Sequence, residues 1–327
     1  MRRREFIALL GSAAACPMAA RAQQPPMPVV GYLSTRSLED SQYIVAAFRK
    51  GLRETGYNEG RNVAIEYSFA EGHHDRLPAM AAELVRGRVN LVVATGGTSS
   101  AVAAKPIVPT TMPLLFAMGG DPVKLGLVDG LAHPGGNVTG ISFLISEMAA
   151  KHAQLLQELA PKATVIGFLV NPNNPNLASA TTAASEAADI LKHKLVVVNA
   201  GTESEFDPAF ETLIRERVTA LSVQGDPFFT DHRARVAALA SRHTLPAIYA
   251  LREFVDAGGL MSYGTSITEA NRQLGIYAGR VLNGAKPAEL PVMQSTTFEL
   301  VINLKVAKAL ALDVPTSILL RADEVIE

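Results

Sequence analysis

The sequence predicts an α/β protein built as two doubly wound lobes, each on a parallel sheet. Three observations carry this. Short continuous Val/Ile/Leu runs alternate with amphipathic stretches along the chain, the rhythm of strands buried on both faces with helices between them. The chain has 327 residues, 48% of them apolar, which exceeds one ordinary core and predicts two domains. The rhythm also pauses at Pro134-Gly135-Gly136-Asn137 and again at Gly258-Gly259, where the chain would pass between lobes.

The first 22 residues read as a signal peptide rather than as part of the fold. Arg2, Arg3 and Arg4 form a basic start, and Phe6 to Ala15 is apolar apart from Gly11 and Ser12. Ala20-Arg21-Ala22 fits a small-x-small cleavage site, leaving Gln23 first. The apolar run is too short to span a bilayer, which takes about 20 residues. Arg3-Arg4-Glu5-Phe6-Ile7 resembles a twin-arginine signal without its usual Lys, so twin-arginine and general secretory export both stay open. Cys16 is the sole cysteine. Lipid anchoring there is disfavoured, because Ala13-Ala14-Ala15-Cys16 lacks a Leu three places before and Pro17 follows. Cleavage would leave no cysteine and hence no disulfide. The whole chain has 30 basic and 31 acidic residues; losing Arg2, Arg3, Arg4, Arg21 and Glu5 leaves 26 against 30, a net of −4. That charge argues against nucleic acid or an anionic membrane as partner.

Buried strands are expected at Val29 to Leu33, Val63 to Tyr67, Leu91 to Ala94 and Leu114 to Ala117. A second set follows at Val165 to Val170, Leu195 to Val198, Ala220 to Val223 and Ala247 to Tyr249. Between them, Ile44, Phe48 and Leu52 mark a helix stopped by Gly56, and Met148, His152, Leu155, Leu156 and Leu159 mark another. Asp207-Pro208 reads as an N-cap with proline in the first turn. Ser266 and Glu269 read as a capping box. Val138 to Leu144, Leu260 to Tyr263 and Phe298 to Leu304 are the expected crossings. Lobe 1 is then discontinuous, 28–140 with 264–297, and lobe 2 is 141–263 with 298–327.

In sheets of this kind ligands bind beyond the carboxyl ends of the strands. The loop Thr95-Gly96-Gly97-Thr98-Ser99-Ser100 offers glycines for close backbone approach, hydroxyl donors and a helix start that favours a carboxylate. Ser34 stands at the end of the first strand beside it. No Gly-Lys-Ser/Thr follows, so this is not a nucleotide phosphate loop. Asp121 and Asp226 both occupy Gly-Asp-Pro turns. Either could meet a ligand ammonium or simply cap its own turn, and the residues leave that choice open. Asn171 and Asn174 are ambiguous in the same way. Phe228 and Tyr263 are candidates to contact the apolar part of a ligand.

Enzymatic readings find little support. His73-His74-Asp75 has no second ligand pair for a structural zinc, which needs four. Gly-x-Ser-x-Gly is absent from the sequence, and Gly31-Tyr32-Leu33-Ser34 is no dinucleotide fingerprint. No cofactor, metal site or catalytic residue is expected.

Several motifs in fixed order carry a resemblance. They are Phe116-Ala117-Met118-Gly119-Gly120-Asp121-Pro122-Val123 and Pro134-Gly135-Gly136-Asn137-Val138-Thr139-Gly140, then Asn171-Pro172-Asn173-Asn174-Pro175 and Asp226-Pro227-Phe228-Phe229. Gly258-Gly259-Leu260-Met261-Ser262-Tyr263-Gly264 and Phe298-Glu299-Leu300-Val301-Ile302-Asn303 complete the set. Together they resemble the ABC-transporter substrate-binding proteins of the tryptophan/tyrosine type, over essentially the whole chain after the leader. The resemblance implies a type I periplasmic-binding fold with three inter-lobe connections and no catalysis. It also implies a carboxylate-bearing ligand, such as an amino acid, in the inter-lobe cleft. The expected protein is periplasmic, monomeric and partnered by a membrane permease with its ATPase. A ligand-sensing module for a membrane receptor and, from another class, a periplasmic α/β enzyme are the alternatives. The chain has no Trp, so any ring stacked on the ligand must be Phe or Tyr.

Overall fold

The computed structural model describes residues 27–143, 148–295 and 297–327. The leader, its cleavage site and Cys16 lie outside the described residues, as does Leu144 at the end of the first expected crossing.

Two sheets form the molecule. The first holds β1 (Val29–Ser34), β2 (Ala64–Phe69), β3 (Leu91–Thr95), β4 (Leu114–Met118), β5 (Val138–Ser142) and the short β11 (Met293–Gln294). Its order is β11-β5-β4-β3-β1-β2, and every pairing is parallel. The second holds β6 (Val165–Val170), β7 (Lys194–Asn199), β8 (Ala220–Val223), β9 (Ala247–Tyr249), β10 (Met261–Thr265), β12 (Phe298–Asn303) and β13 (Glu324–Ile326). Its order is β13-β12-β10-β9-β8-β6-β7. All eight strands expected from continuous apolar runs form within two residues of their expected ends. β3 and β4 are buried along their whole length, as central strands covered on both faces must be.

Helices cover both faces of each sheet. On the first, α1 (Leu38–Glu54) and α10 (Ile267–Leu282) pack on the face that carries Tyr32, Val93 and Leu115. They approach closely because Gly51 and Gly275 carry no side chain. A Cβ at Gly51 would stand 1.9 Å from Arg272 O, and one at Gly275 2.1 Å from Phe48 O. The opposite face holds α2 (Leu77–Arg86) and α3 (Thr98–Ala104). The second sheet carries α4 (Ala149–Leu159) and α5 (Leu177–Ile190) on one face, and α6 (Phe206–Arg215) with α8 (Arg233–Arg242) on the other. The small helices α7 (Pro227–Asp231) and α9 (Glu253–Asp256) follow β8 and β9.

The chain passes between sheets three times: from β5 to α4, from β10 to α10, and from β11 to β12. β5 lies wholly in the first sheet and β10 wholly in the second. The passages therefore follow Ser142 and Thr265, two residues beyond the boundaries read from sequence. β12 departs from the expected parallel pattern and pairs antiparallel with β10. β10 runs toward the first lobe and leaves the sheet there. β12 enters from the first lobe directly after β11, so it must run the other way.

Two caps also differ. Asp207 lies inside α6 rather than before it. A capping box of Thr202 and Glu205 opens the preceding turn of 3-10 helix, and Asp207 pairs with Arg235. Ser266 accepts from Glu269 N at 3.5 Å, but the Glu269 carboxylate turns to Arg272 and Gln273, so only half of that box forms.

Candidate functional site

The carboxyl ends of β1, β3 and β4 face those of β6, β8 and β9 across a cleft. Between them lies a cavity of about 60 Å³, where one water needs about 10–15 Å³. The first lobe lines it with Arg36, Thr95 to Thr98, Gly119 and, from α10, Asn271. The second contributes Asn174, Asn176, Gly225, Asp226 and Pro227.

The glycine loop is shaped by its backbone. Gly96 has φ 78° and Gly97 φ 139°, values that side-chain-bearing residues rarely adopt. Thr35 Oγ1 donates to Gly96 O at 2.5 Å. Thr95 Oγ1 donates to Asn271 Oδ1 at 3.1 Å. Ser100 Oγ donates to Gly97 O at 3.0 Å. Thr98 Oγ1 accepts from Gly120 N at 3.2 Å and, across the cleft, from Asn176 Nδ2 at 2.8 Å. The helix that follows is only seven residues long, so its dipole is a weaker anion anchor than the sequence suggested. Its N-cap is Gly97, which leaves Thr98 free to serve the cleft.

The two Gly-Asp-Pro turns separate. Asp121 is 39% exposed and accepts from Val123 N and Lys124 N; it caps its own turn beside Lys124. Asp226 is 3% exposed and lines the cavity. Its Oδ1 accepts from Asn171 Nδ2 at 3.0 Å and Phe228 N at 2.8 Å, and its Oδ2 from Asn174 Nδ2 at 2.6 Å. Burial raises the Asp226 pKa, with these three hydrogen bonds and the nearby His74 working against the rise. Asn171 and Asn174 thus hold the carboxylate, and Asn174 also lines the cavity.

Three candidates lie elsewhere. Ser34 is behind the loop, accepting from Arg36 N at 3.2 Å, and a Cβ on Gly96 would stand 2.5 Å from its Oγ. Phe228 stacks on Phe206 and packs at a tilt against His232 inside the second lobe, because α7 turns it toward α6. Tyr263 stacks on Phe298, its diagonal neighbour on β12: Tyr263 pairs with Leu300 and Phe298 with Thr265. Among the described residues, Phe143 is the aromatic side chain that lines the cavity.

Arg36, Asn176 and Asn271 escaped the sequence reading. Arg36 is 4% exposed. Its Nε donates to Asp231 Oδ1 at 3.1 Å on the second lobe and its Nη1 to Tyr43 Oη at 3.0 Å. Burial opposes the charge of Arg36, but Tyr43 and Asp231 raise its pKa. Burial pushes Asp231 up to about 6 against the pull of Arg36. Arg233 on α8 pairs with Asp40 on α1 at 2.8 Å, and Tyr43 donates to Glu253 on α9. These contacts bridge the lobes along one rim of the cleft. The available signal was Arg36 following Ser34-Thr35 at a strand's carboxyl end.

Comparison with known proteins agrees with this geometry. A family described as "ABC transporter substrate binding protein" matches residues 30–326. A tyrosine-binding protein of Clostridioides difficile is 28% identical over 263 residues, covering 80% of this chain and 75% of its own. A Streptococcus pneumoniae domain solved in complex with L-Trp is 27% identical, with a TM-score of 0.84 over 91% of this chain and 99% of that one. A Clostridium difficile substrate-binding protein with adhesive properties, solved ligand-free and open, is 26% identical. It has the same coverage but a TM-score of 0.68. The two α/β lobes have the type I periplasmic-binding fold, and among the described residues no helix is long and apolar enough to cross a membrane. The cleft, the three passages and the match over residues 30–326 agree, and the chain belongs to the family of ABC transporter substrate-binding proteins.

Proposed function

We propose that this protein captures an amino acid in the inter-lobe cleft and presents it to a membrane permease coupled to an ATPase. The observation that carries the reading is Asp226: a buried carboxylate, held by Asn171 and Asn174, that faces the glycine loop of the other lobe across a cavity. Such a pair of walls suits a zwitterion, with its ammonium at Asp226 and its carboxylate at the glycine loop. Relatives described as tyrosine-binding and as bound to L-Trp support an aromatic amino acid. The fit is better to the L-Trp complex than to the open, ligand-free relative at equal coverage, which supports the arrangement described here as the closed one.

The exported protein acts as a monomer outside the cytoplasm. Its lobes, 28–142 with 266–295 and 148–265 with 298–327, move about the three passages. No step of bond making or breaking is assigned to it.

Thermal denaturation of the leader-less protein against the amino acids tests this. A ligand at 100 times its Kd adds about 2.7 kcal/mol of stability, and small-angle scattering with that ligand should show a smaller radius of gyration. If no amino acid stabilises the protein, the reading fails. Turnover of any of them would favour an enzyme instead.

A further inference from the structure

We infer that Arg36 is the anion-binding residue of the cleft, its Nη2 taking a carboxylate oxygen of the ligand. This rests on the proposal above that the ligand is an amino acid.

The guanidinium has two of its three nitrogens committed. Nε is held by Asp231 from the second lobe and Nη1 by the Tyr43 hydroxyl. The third, Nη2, is buried and has no hydrogen-bond partner among the described residues, while Arg36 lines the cavity. A charged donor left without an acceptor away from water is costly. Such a group is completed by a ligand, an ion or an ordered water, and Arg36 is the one charged side chain among the unpartnered buried groups of the described residues that lines this cavity.

The position of Arg36 is fixed on every side. Gly72 N donates to Thr35 O at 2.7 Å, and Ser34 Oγ accepts from Arg36 N. Thr35 Oγ1 ties the same turn to Gly96. The turn is thereby held beside the glycine loop, and the guanidinium itself by Asp231 and Tyr43, so a carboxylate in the cavity meets a fixed cation as well as backbone amides. A planar guanidinium can donate to two carboxylates on different edges, so Asp231 and the ligand need not compete. Arg36 and Asp226 then set the polarity of the cleft: cation on the first lobe, anion on the second. A bound zwitterion would join the lobes through both ends.

Calorimetry with L-tyrosine, L-tryptophan and their carboxamides separates this from a purely structural role. The wild type should bind the acid roughly 10- to 100-fold more tightly than the amide, the range of one charge-assisted hydrogen bond. Arg36→Gln should lose that preference: with the brace gone both ligands bind more weakly, but acid and amide should bind the variant within about threefold of each other. Arg36 also braces the lobes, so Asp231→Asn is the control. It loosens the brace but keeps the guanidinium, and should weaken acid and amide alike. The double variant R36Q/D231N removes the buried charge pair without leaving a lone charge, and covers the case where R36Q does not fold. If Arg36→Gln or the double variant still prefers the acid as the wild type does, the inference is overturned. If the wild type binds neither amino acid nor any other in the thermal screen, the amino-acid reading falls first, and the inference with it.

Discussion

The hydroxyl of Thr98 on the first lobe and the carboxamide of Asn176 on the second share a 2.8 Å hydrogen bond across the cleft. Thr98 Oγ1 already accepts from Gly120 N, so both acceptor sites are in use and only its proton is left for a ligand. The residue is therefore first a fastener between lobes. Thr98→Ala should weaken ligand binding by about fivefold, one net hydrogen bond of about 1 kcal/mol lost from the closed state alone. Asn176→Ala should do the same, and the double variant should be no worse than either single. Calorimetry on the four proteins checks this. Additive losses would show that Thr98 acts on the ligand by another route.

Gly120 tests closure without touching the ligand. A Cβ there would stand 2.3 Å from Asn176 Oδ1. Asn176 is short, and its bond to Thr98 holds it in place. Gly120→Ala should therefore leave the scattering of the ligand-free protein unchanged but weaken binding by about tenfold, roughly 1.4 kcal/mol against the closed form. Adding Asn176→Ala should restore part of the affinity. Gly97 is a stricter case, because its Cβ would meet Pro227 Cγ at 2.6 Å and its φ of 139° is itself hostile to a side chain.

Asp226→Asn should reduce affinity for an amino acid about 10- to 100-fold by removing the acceptor for its ammonium. Binding of the matching arylpropionate, which lacks the amine, should change little. Asn171, Asn174 and Phe228 N all donate to the carboxylate, and an amide turns its NH2 toward one of them, so some fold stability should be lost as well. Equal losses of affinity for the amino acid and for the arylpropionate would mark Asp226 as a structural residue instead.

His152 makes the second lobe acid-sensitive. It is buried on α4, bonded through Nε2 to Tyr263 O at 2.6 Å, and burial holds its pKa down at about 4. In the unfolded chain the imidazole titrates near its ordinary value of 6.5. Between those values the unfolded state binds the proton and the folded state does not, so stability falls as pH drops from 6.5 toward 4 and levels off below. The loss from pH 7 to pH 4.5 should be on the order of 2 kcal/mol from this group. Urea unfolding of wild type and His152→Gln at both pH values checks it. The variant should lose that part of the slope, and an unchanged slope would place the acid sensitivity elsewhere.

The features legible in the residues alone are local. Runs such as Val165 to Val170 and Leu114 to Ala117 are continuous and β-branched or aliphatic, so they specify buried strands wherever they lie in space. Gly96 and Gly97 announce a loop that side chains cannot enter, and they form one. The family motifs gave the two-lobed order. The tertiary structure decided what depends on distant neighbours. β12 reads like any apolar strand, and only its entry from the other lobe reverses it. Asp121 and Asp226 stand in the same tripeptide, yet Asn171 and Asn174 draw one into the cleft while Lys124 and solvent keep the other outside. Phe228 and Tyr263 lie in the right loops but turn to ring partners in their own lobe. Arg36 looks like a solvated loop arginine until Asp231, 195 residues away, closes over it. Periodicity and turn chemistry act over a few residues, whereas burial of a charge is set by whatever the rest of the chain brings against it.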